Sequence, residues 1–385
     1  MAIRSRWLVG GFVTALVAAV WILVAGSERS EGFDGGSPVA SRPSSPIVSR
    51  ELRELALKSA KIWQPTDVAS FDFSSNPPDP SGALSEPIVP CRYLPEAADG
   101  TAPKFDCVLR TGEVVKVKYG RFSGEGFAEI AASRLLTALG FGADRMYWVP
   151  RVRCEGCPPF PFHTAWLLDR LHARAALAPH LASDRSADFD WVAVERKHEG
   201  DTIKSEEDKG WAWYELDQIE PGLGASRSEV DALRLAAILL AHWDNKSSNQ
   251  RLVCLDPEPL STTRPCTRTL AIIQDLGATF GPKRVDLESW MATSVWKDPH
   301  RCIVSMRQLP YDGGTFPDAQ ISEGGRQLIA RQLSALTDRQ IVSVFSGARF
   351  REFTGGRGVD ADPNVWARLF RDKVRQIVQA GPCPA

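Results

Sequence analysis

Apolar and polar positions recur with two different periods along this chain, and the change of period divides it. Residues 107–110 and 114–119 flank a Thr111-Gly112 pair, which reads as a hairpin. In the second run Val115, Val117 and Tyr119 share one face and Lys116 and Lys118 the other. Residues 124–140 switch to helical spacing through Ile130, Arg134, Leu135 and Leu139, and Gly140 is placed to end the helix. Residues 146–153, 162–168 and 190–195 read as further strands. A strongly apolar helix is expected over 228–241, with a serine at its cap and Leu233, Ala237 and Leu240 on one face. Helices are also expected over 323–333, 337–347 and 364–379. The fold class is therefore α+β: a strand-rich first half with one conspicuous helix, then a helical second half.

The stretch from Leu240 to Phe280 carries the chemistry. Two apolar, strand-like runs each deliver a polar cluster: His242-Trp243-Asp244-Asn245-Lys246-Ser247-Ser248-Asn249, and Asp275-Leu276-Gly277. A polar excursion over 256–268 separates them. Phosphoryl transfer needs metal ions across the phosphates, a cation on them and a base that orients the nucleophile. Mg²⁺ takes hard oxygen ligands, which Asn249 and Asp275 supply. Asp244 is the candidate base and Lys246 the candidate cation on the transferring group, while Gly277 permits a tight turn after Asp275.

His242-Trp243-Asp244-Asn245-Lys246-Ser247-Ser248-Asn249 resembles the protein-kinase catalytic loop, and Asp275-Leu276-Gly277 resembles its metal-binding Asp-Phe-Gly. In that resemblance Lys118 is the strand lysine on the α- and β-phosphates, and Glu129 is its helical partner. Lys116 and Glu125 compete for these two roles. Glu195 and Lys197 bound a segment that meets adenine through its backbone. A glycine-rich loop before Lys118, the Arg of His-Arg-Asp and an Ala-Pro-Glu are all missing, so the chain looks like the atypical group that includes phosphoinositide kinases, HipA-type bacterial kinases and secretory-pathway kinases. The resemblance implies a bilobal protein-kinase-like fold, with an N-lobe over 91–195 and a C-lobe over 196–385. It also implies ATP with Mg²⁺ or Mn²⁺ as cofactors, and an unidentified protein, lipid or small-molecule acceptor. The alternative is a catalytically inactive kinase-like module that binds nucleotide or a partner.

Residues 1–26 stand outside this scheme. Arg4 and Arg6 precede an uncharged apolar run over 7–26, close to the ~20 residues that span a bilayer. Glu28, Glu31 and Asp34 follow, which sets the body on the extracytoplasmic side. The run reads as a signal anchor or a cleaved signal peptide. Ala25 and Gly26 permit cleavage; Trp21-Ile22-Leu23-Val24 at its end favours retention. Residues 27–90 read as a flexible stalk, rich in Ser, Gly and Pro over 27–49, with a short amphipathic helix carrying Leu52, Leu55, Leu57 and Ile62.

Composition narrows the classes. A net charge of −1 without a large basic block argues against nucleic acid as the main partner. Twelve tryptophans, several in polar contexts, point to packing between lobes. All eight cysteines follow the apolar run, an even number that suits disulfides in an exported chain. Spacing pairs Cys91 with Cys107, Cys154 with Cys157, and Cys254 with Cys266, leaving Cys302 and Cys383. A single Cys-x-x-Cys is too little for a structural zinc site, which takes four ligands.

Overall fold

The computed structural model describes residues 45–95, 100, 102–120, 123–158, 160–171, 186–281, 285–308, 318–354 and 356–384. The apolar run over 7–26 and the Ser/Gly/Pro-rich stretch up to 44 lie outside the described residues. Among those described, no helix is long and apolar enough to cross a membrane.

Strand alternation builds the first half. Strands β1 (Val89–Leu94), β2 (Lys104–Leu109), β3 (Val114–Lys118), β5 (Arg145–Glu155) and β6 (Ser186–Arg196) close into a barrel in the order β1-β2-β3-β6-β5. The β2–β3 hairpin turns through Gly112 at φ +85°, in the left-handed region that glycine occupies without steric cost. Closure comes from a parallel pairing of β1 with β5. The barrel has its own apolar interior, including Phe105, Cys107, Val115, Val117, Tyr147, Val149, Val192 and Val194. Because side chains alternate, the neighbouring positions Lys104, Asp106, Lys116, Lys118, Ala193 and Glu195 point outward. Register then lines them up: Lys104 lies opposite Lys118, Asp106 opposite Lys116, and Lys116 opposite Glu195.

Helix α2 (Glu125–Ala138), following α1 (Arg50–Lys58), packs against that outer face. Gly126 lies at that contact, where a Cβ would stand 3.0 Å from the Cβ of Ala193, tighter than an ordinary contact. The α1 helix was legible in the sequence, but its buried side was not. Leu55 is 49% exposed, whereas Arg53 is buried and ion-paired with Glu215 at 2.8 Å. Residues 162–168, expected to be a strand, instead form α3 (Pro161–Arg170). Pro161 opens that helix, a position where the missing N–H is not needed.

A second sheet holds β4 (Gly142–Ala143), β7 (Asp201–Ile203), β8 (Gln250–Cys254) and β9 (Thr269–Ile273), in the order β4-β9-β8-β7. Behind it runs α4 (Arg227–Leu239), capped by Ser226 rather than Ser228, in a reciprocal capping box with Glu229. After α5 (Leu287–Ala292), β10 (Ile303–Val304) and β11 (Ala319–Gln320) pair as a two-stranded ribbon. The helices α6 (Glu323–Ser334), α7 (Asp338–Gly347), the short α8 (Phe350–Phe353) and α9 (Pro363–Gln379) complete the chain. Phe280, Trp290, Phe345, Phe350 and Trp366 meet in edge, tilted and stacked ring contacts at the centre of this helical part. Trp211, Trp213, Trp243, Trp290 and Trp296 are buried as expected of packing residues, but Trp191 is half exposed.

All four disulfides are present: Cys91–Cys107, Cys154–Cys157, Cys254–Cys266 and Cys302–Cys383. The Cys-x-x-Cys is thus closed on itself, with no thiolate left for zinc. Four bridges with no free cysteine suit an oxidising, extracytoplasmic compartment.

Candidate active site

Helix α4 ends at Leu240, and Ala241 turns the chain at φ +49°. The backbone N–H of His242 still reaches back to the carbonyl of Ala237, at 2.9 Å. His242 is fully buried, and burial pushes its pKa down to about 4. Its imidazole is therefore neutral near pH 7. The loop beyond it is held by its own amides. Asn245 Nδ2 donates to the His242 carbonyl at 3.1 Å, and Gln250 Nε2 donates to the Asn245 carbonyl at 2.9 Å.

Asp244, Asn249 and Asp275 form one hydrogen-bonded series. Asn249 Nδ2 donates to the backbone carbonyl of Asp244 at 2.6 Å. The carbonyl of Asn249 accepts the N–H groups of Gln274, at 2.9 Å, and Asp275, at 3.2 Å. Strand β8 leaves from Asn249 and β9 arrives at Asp275, so the β8–β9 pairing brings the two polar clusters together. The excursion between the strands is closed by Cys254–Cys266. Lys246 lies 3.2 Å from the Asp244 carboxylate and is half exposed.

Gly277 follows Asp275 for a reason the sequence did not disclose. A Cβ there would stand 2.2 Å from Cγ of Glu125, so glycine lets α2 approach the Asp275 loop. The Gly277 N–H donates to Asp275 Oδ1 at 3.1 Å.

Above Asp275 lies a buried cluster of charge. Lys118 Nζ is 2.5 Å from Glu129, 3.0 Å from Glu125 and 3.5 Å from Glu195. Lys116 reaches Glu195 at 3.3 Å, and Lys104 reaches Glu125 at 3.6 Å. Both lysines that competed in the sequence are therefore in the cluster, as are both glutamates, and the Lys118–Glu129 contact is the shortest.

With Asp275, four carboxylates face three ammonium groups, and the excess is relieved at the most buried carboxylate, which keeps its proton near neutral pH. Glu129 is pushed up to about 8, first by burial and then by Asp275, Glu195 and Glu125, against the pull of Lys118. Its Oε1 has no hydrogen-bond partner. Removal from water opposes the ionisation of Asp275, but Lys118, Lys104, the Gly277 N–H and Lys116 hold it well below the usual carboxylate range. Burial likewise opposes the ionisation of Glu195, yet Lys116 and Lys118 draw it down to about 2. Burial alone would lower the pKa of Lys118; Glu129 and Glu125 instead raise it well above the ordinary value.

The donor set fits a divalent cation of the Mg²⁺ type. Asp275 is kept ionised and Asn249 adds an amide oxygen, both hard ligands. Lys104 is not among the candidates that the sequence offers, because its pattern places the first strand of the hairpin from Cys107. The Lys-Phe-Asp-Cys alternation over 104–107 was the available signal. For Glu195 the expectation concerned backbone. Its backbone pairs within the barrel, opposite Lys116 and Met146, and its side chain joins the lysine cluster. Lys197 lies just past the end of β6 and helps lower the pKa of Glu195.

No protein-family model and no curated protein matches this chain. Among solved structures it is similar to a Helicobacter pylori proinflammatory kinase, CtkA, at 13% identity and a TM-score of 0.40, over 82% of this chain and 96% of that one. A likeness of that degree assigns no role to any residue here.

Proposed function

We propose that this protein is a divalent-metal-dependent phosphotransferase that moves the γ-phosphoryl group of ATP to a hydroxyl acceptor. One juxtaposition carries the proposal: the Lys118–Glu129 pair stands over Asp275, which is itself tied to Asn249 and through it to Asp244. Lys118, oriented by Glu129, holds the α- and β-phosphates, and the backbone between Glu195 and Lys197 meets adenine. Asn249 and Asp275 would hold Mg²⁺ or Mn²⁺, which when bound neutralises charge on the phosphates. Asp244 accepts the proton of the acceptor hydroxyl as its oxygen attacks the γ-phosphorus, and ADP departs. Lys246, beside Asp244, neutralises the transferring group. The acceptor is a protein hydroxyl, a lipid head group or a small molecule, and the segment over 1–26 would keep the body at a membrane.

One observation favours a second reading, a kinase-like module that binds without turnover. Lys118 already has three carboxylates around it, so a phosphate must displace at least one of them. A thermal-shift titration of residues 27–385 with ATP and Mg²⁺ or Mn²⁺ tests both readings. A nucleotide-dependent rise that Asp275→Ala abolishes is expected; no shift with either metal would sink both. Asp244→Ala should keep the shift and lose phosphate transfer and ATP hydrolysis. A wild-type protein that binds but turns over with no acceptor is the inactive module.

A further inference from the structure

A cavity of about 430 Å³ opens beside α2, with Lys118 at its border. Gly126 and Phe127 of α2 form one wall, Trp148 and Trp191 of the barrel another, and Arg349 and Arg351 at the start of α8 close it. The volume suits a small organic ligand of two or more rings.

Three features set it apart from a packing gap. Trp191 and Arg349 both adopt positive φ, at +49° and +61°, although neither is glycine. For a bulky residue such a backbone is costly, and it persists only where the surroundings impose it. These two strained residues meet: the Arg349 guanidinium lies 3.5 Å from the centre of the Trp191 ring, while that ring is half exposed. The third feature is a donor. Trp148 is 91% buried by its 9% exposure, and its Nε1–H has no hydrogen-bond partner. An indole N–H can only donate, so whatever meets it must accept.

The charges of the cavity are unequal. Asp190, also on the wall, is taken up by Arg151 at 2.6 Å, and Glu352 is shared with Arg349 at 3.4 Å. Arg351 adds a further cation. The geometry points to a binding site for a planar aromatic anion: its ring lies among Trp191, Trp148 and Phe127, and its carboxylate or other oxyanion accepts from Trp148 Nε1 and pairs with the arginines. Aromatic walls with a guanidinium stacked on one of them favour a flat ligand, and the donor set requires an anionic or accepting edge. Lys118 borders both this cavity and the proposed phosphate site, but the ligand here is argued from Trp148, Trp191 and Arg349, none of which has a part in phosphoryl transfer.

Calorimetric titration of residues 27–385 with naphthalene-2-carboxylate tests it, against neutral 2-naphthalenemethanol and non-planar cyclohexanecarboxylate. Naphthalene-2-carboxylate should bind at least about tenfold more tightly than either control, the usual worth of a charge-assisted hydrogen bond. Trp148→Phe keeps a ring and removes the donor, and Arg349→Met removes the cation; each should weaken binding by about tenfold. Trp191→Gly accepts the positive φ without strain, so it should fold normally and still lose binding. Equal affinity for the three probes, or naphthoate binding untouched by Arg349→Met and Trp191→Gly in folded protein, overturns the proposal. The outcome for ATP does not enter: naphthoate binding without any nucleotide binding would leave this site intact and remove the phosphotransferase.

Discussion

The backbone N–H of Asp275 donates to the carbonyl of Asn249, at 3.2 Å. This bond fixes the only carboxylate of the cluster that comes from neither the barrel nor α2. Glu129 holds a proton up to about pH 8, so near neutrality Asp275 is the third ionised carboxylate facing three ammonium groups. Those lysines hold it ionised, so its charge stabilises the ligand-free protein as well. We therefore expect Asp275→Asn to lose ATP and metal binding and, near pH 7, to cost about 1–3 kcal/mol of stability, a cost that shrinks as pH falls below the carboxylate range. Urea unfolding at pH 7 and pH 4, followed by nucleotide titration, measures both. Unchanged nucleotide binding in folded Asp275→Asn would remove Asp275 from the metal site.

The pH dependence of stability follows from the same cluster. Glu129 rises from its ordinary 4.5 to about 8 in the folded protein. Over that window the folded state holds a proton that the unfolded state has released. Its contribution is complete below about 4.5 and disappears as pH rises through about 8. Glu195 and Asp275 shift the other way, so their contribution is present above the ordinary carboxylate range and disappears as pH falls through their lowered values. The melting temperature should be highest at mildly acidic pH and fall on both sides. Glu129→Gln should remove the decline on the alkaline side only. Parallel profiles for the two proteins would show that Glu129 is not the group holding the proton.

Lys118 touches three carboxylates, and Lys116 only Glu195 among the ion pairs of the described residues. Lys118→Met therefore leaves several buried carboxylates without their main counter-charge, at a cost of about 3–5 kcal/mol. Lys116→Met should cost clearly less. Pairing Lys118→Met with Glu129→Gln should restore about 1–3 kcal/mol, the coupling expected of groups in contact. A double-mutant cycle by chemical denaturation gives the number, and strict additivity would mean that the two side chains do not share a charge.

Much of this was legible from local pattern. The hairpin, α2, α4 and the last long helices follow periodicity and caps, and three of the cysteine pairs follow spacing, which leaves Cys302 and Cys383 for the fourth. The order of Lys118, Glu129, Asp244, Asn249 and Asp275 was visible because each sits beside a strand or helix end. What sequence could not disclose depends on contacts between distant segments. The parallel closure of β1 on β5 joins strands that no local signal relates. Residues 162–168 form a short apolar run of either period, and only the proline before them favours a helix. Arg53 is buried because Glu215, far along the chain, awaits it. Glu195 and Lys104 entered the charge cluster through strand register, which turns on pairing rather than on composition.

The disulfides divide by loop length, and their removal should divide the same way. Cys302–Cys383 joins residues 81 apart, and Cys154–Cys157 residues 3 apart. In the chain-entropy account the first restricts the unfolded chain by about 4–5 kcal/mol and the second by about 2 kcal/mol. The folded end near Cys383 has other anchors: its N–H donates to Glu323, and Arg326 binds the carbonyls of Ile377 and Val378. These hold the native C-terminus in place after the bridge is cut, so the loss falls mainly on the unfolded state. Cys302→Ala/Cys383→Ala should therefore lower the urea midpoint more than Cys154→Ala/Cys157→Ala, with the protein still folded in both. Equal losses from the two pairs would place the effect in native packing, where Cys302 and Cys154 are both fully buried, and not in the entropy of the unfolded chain.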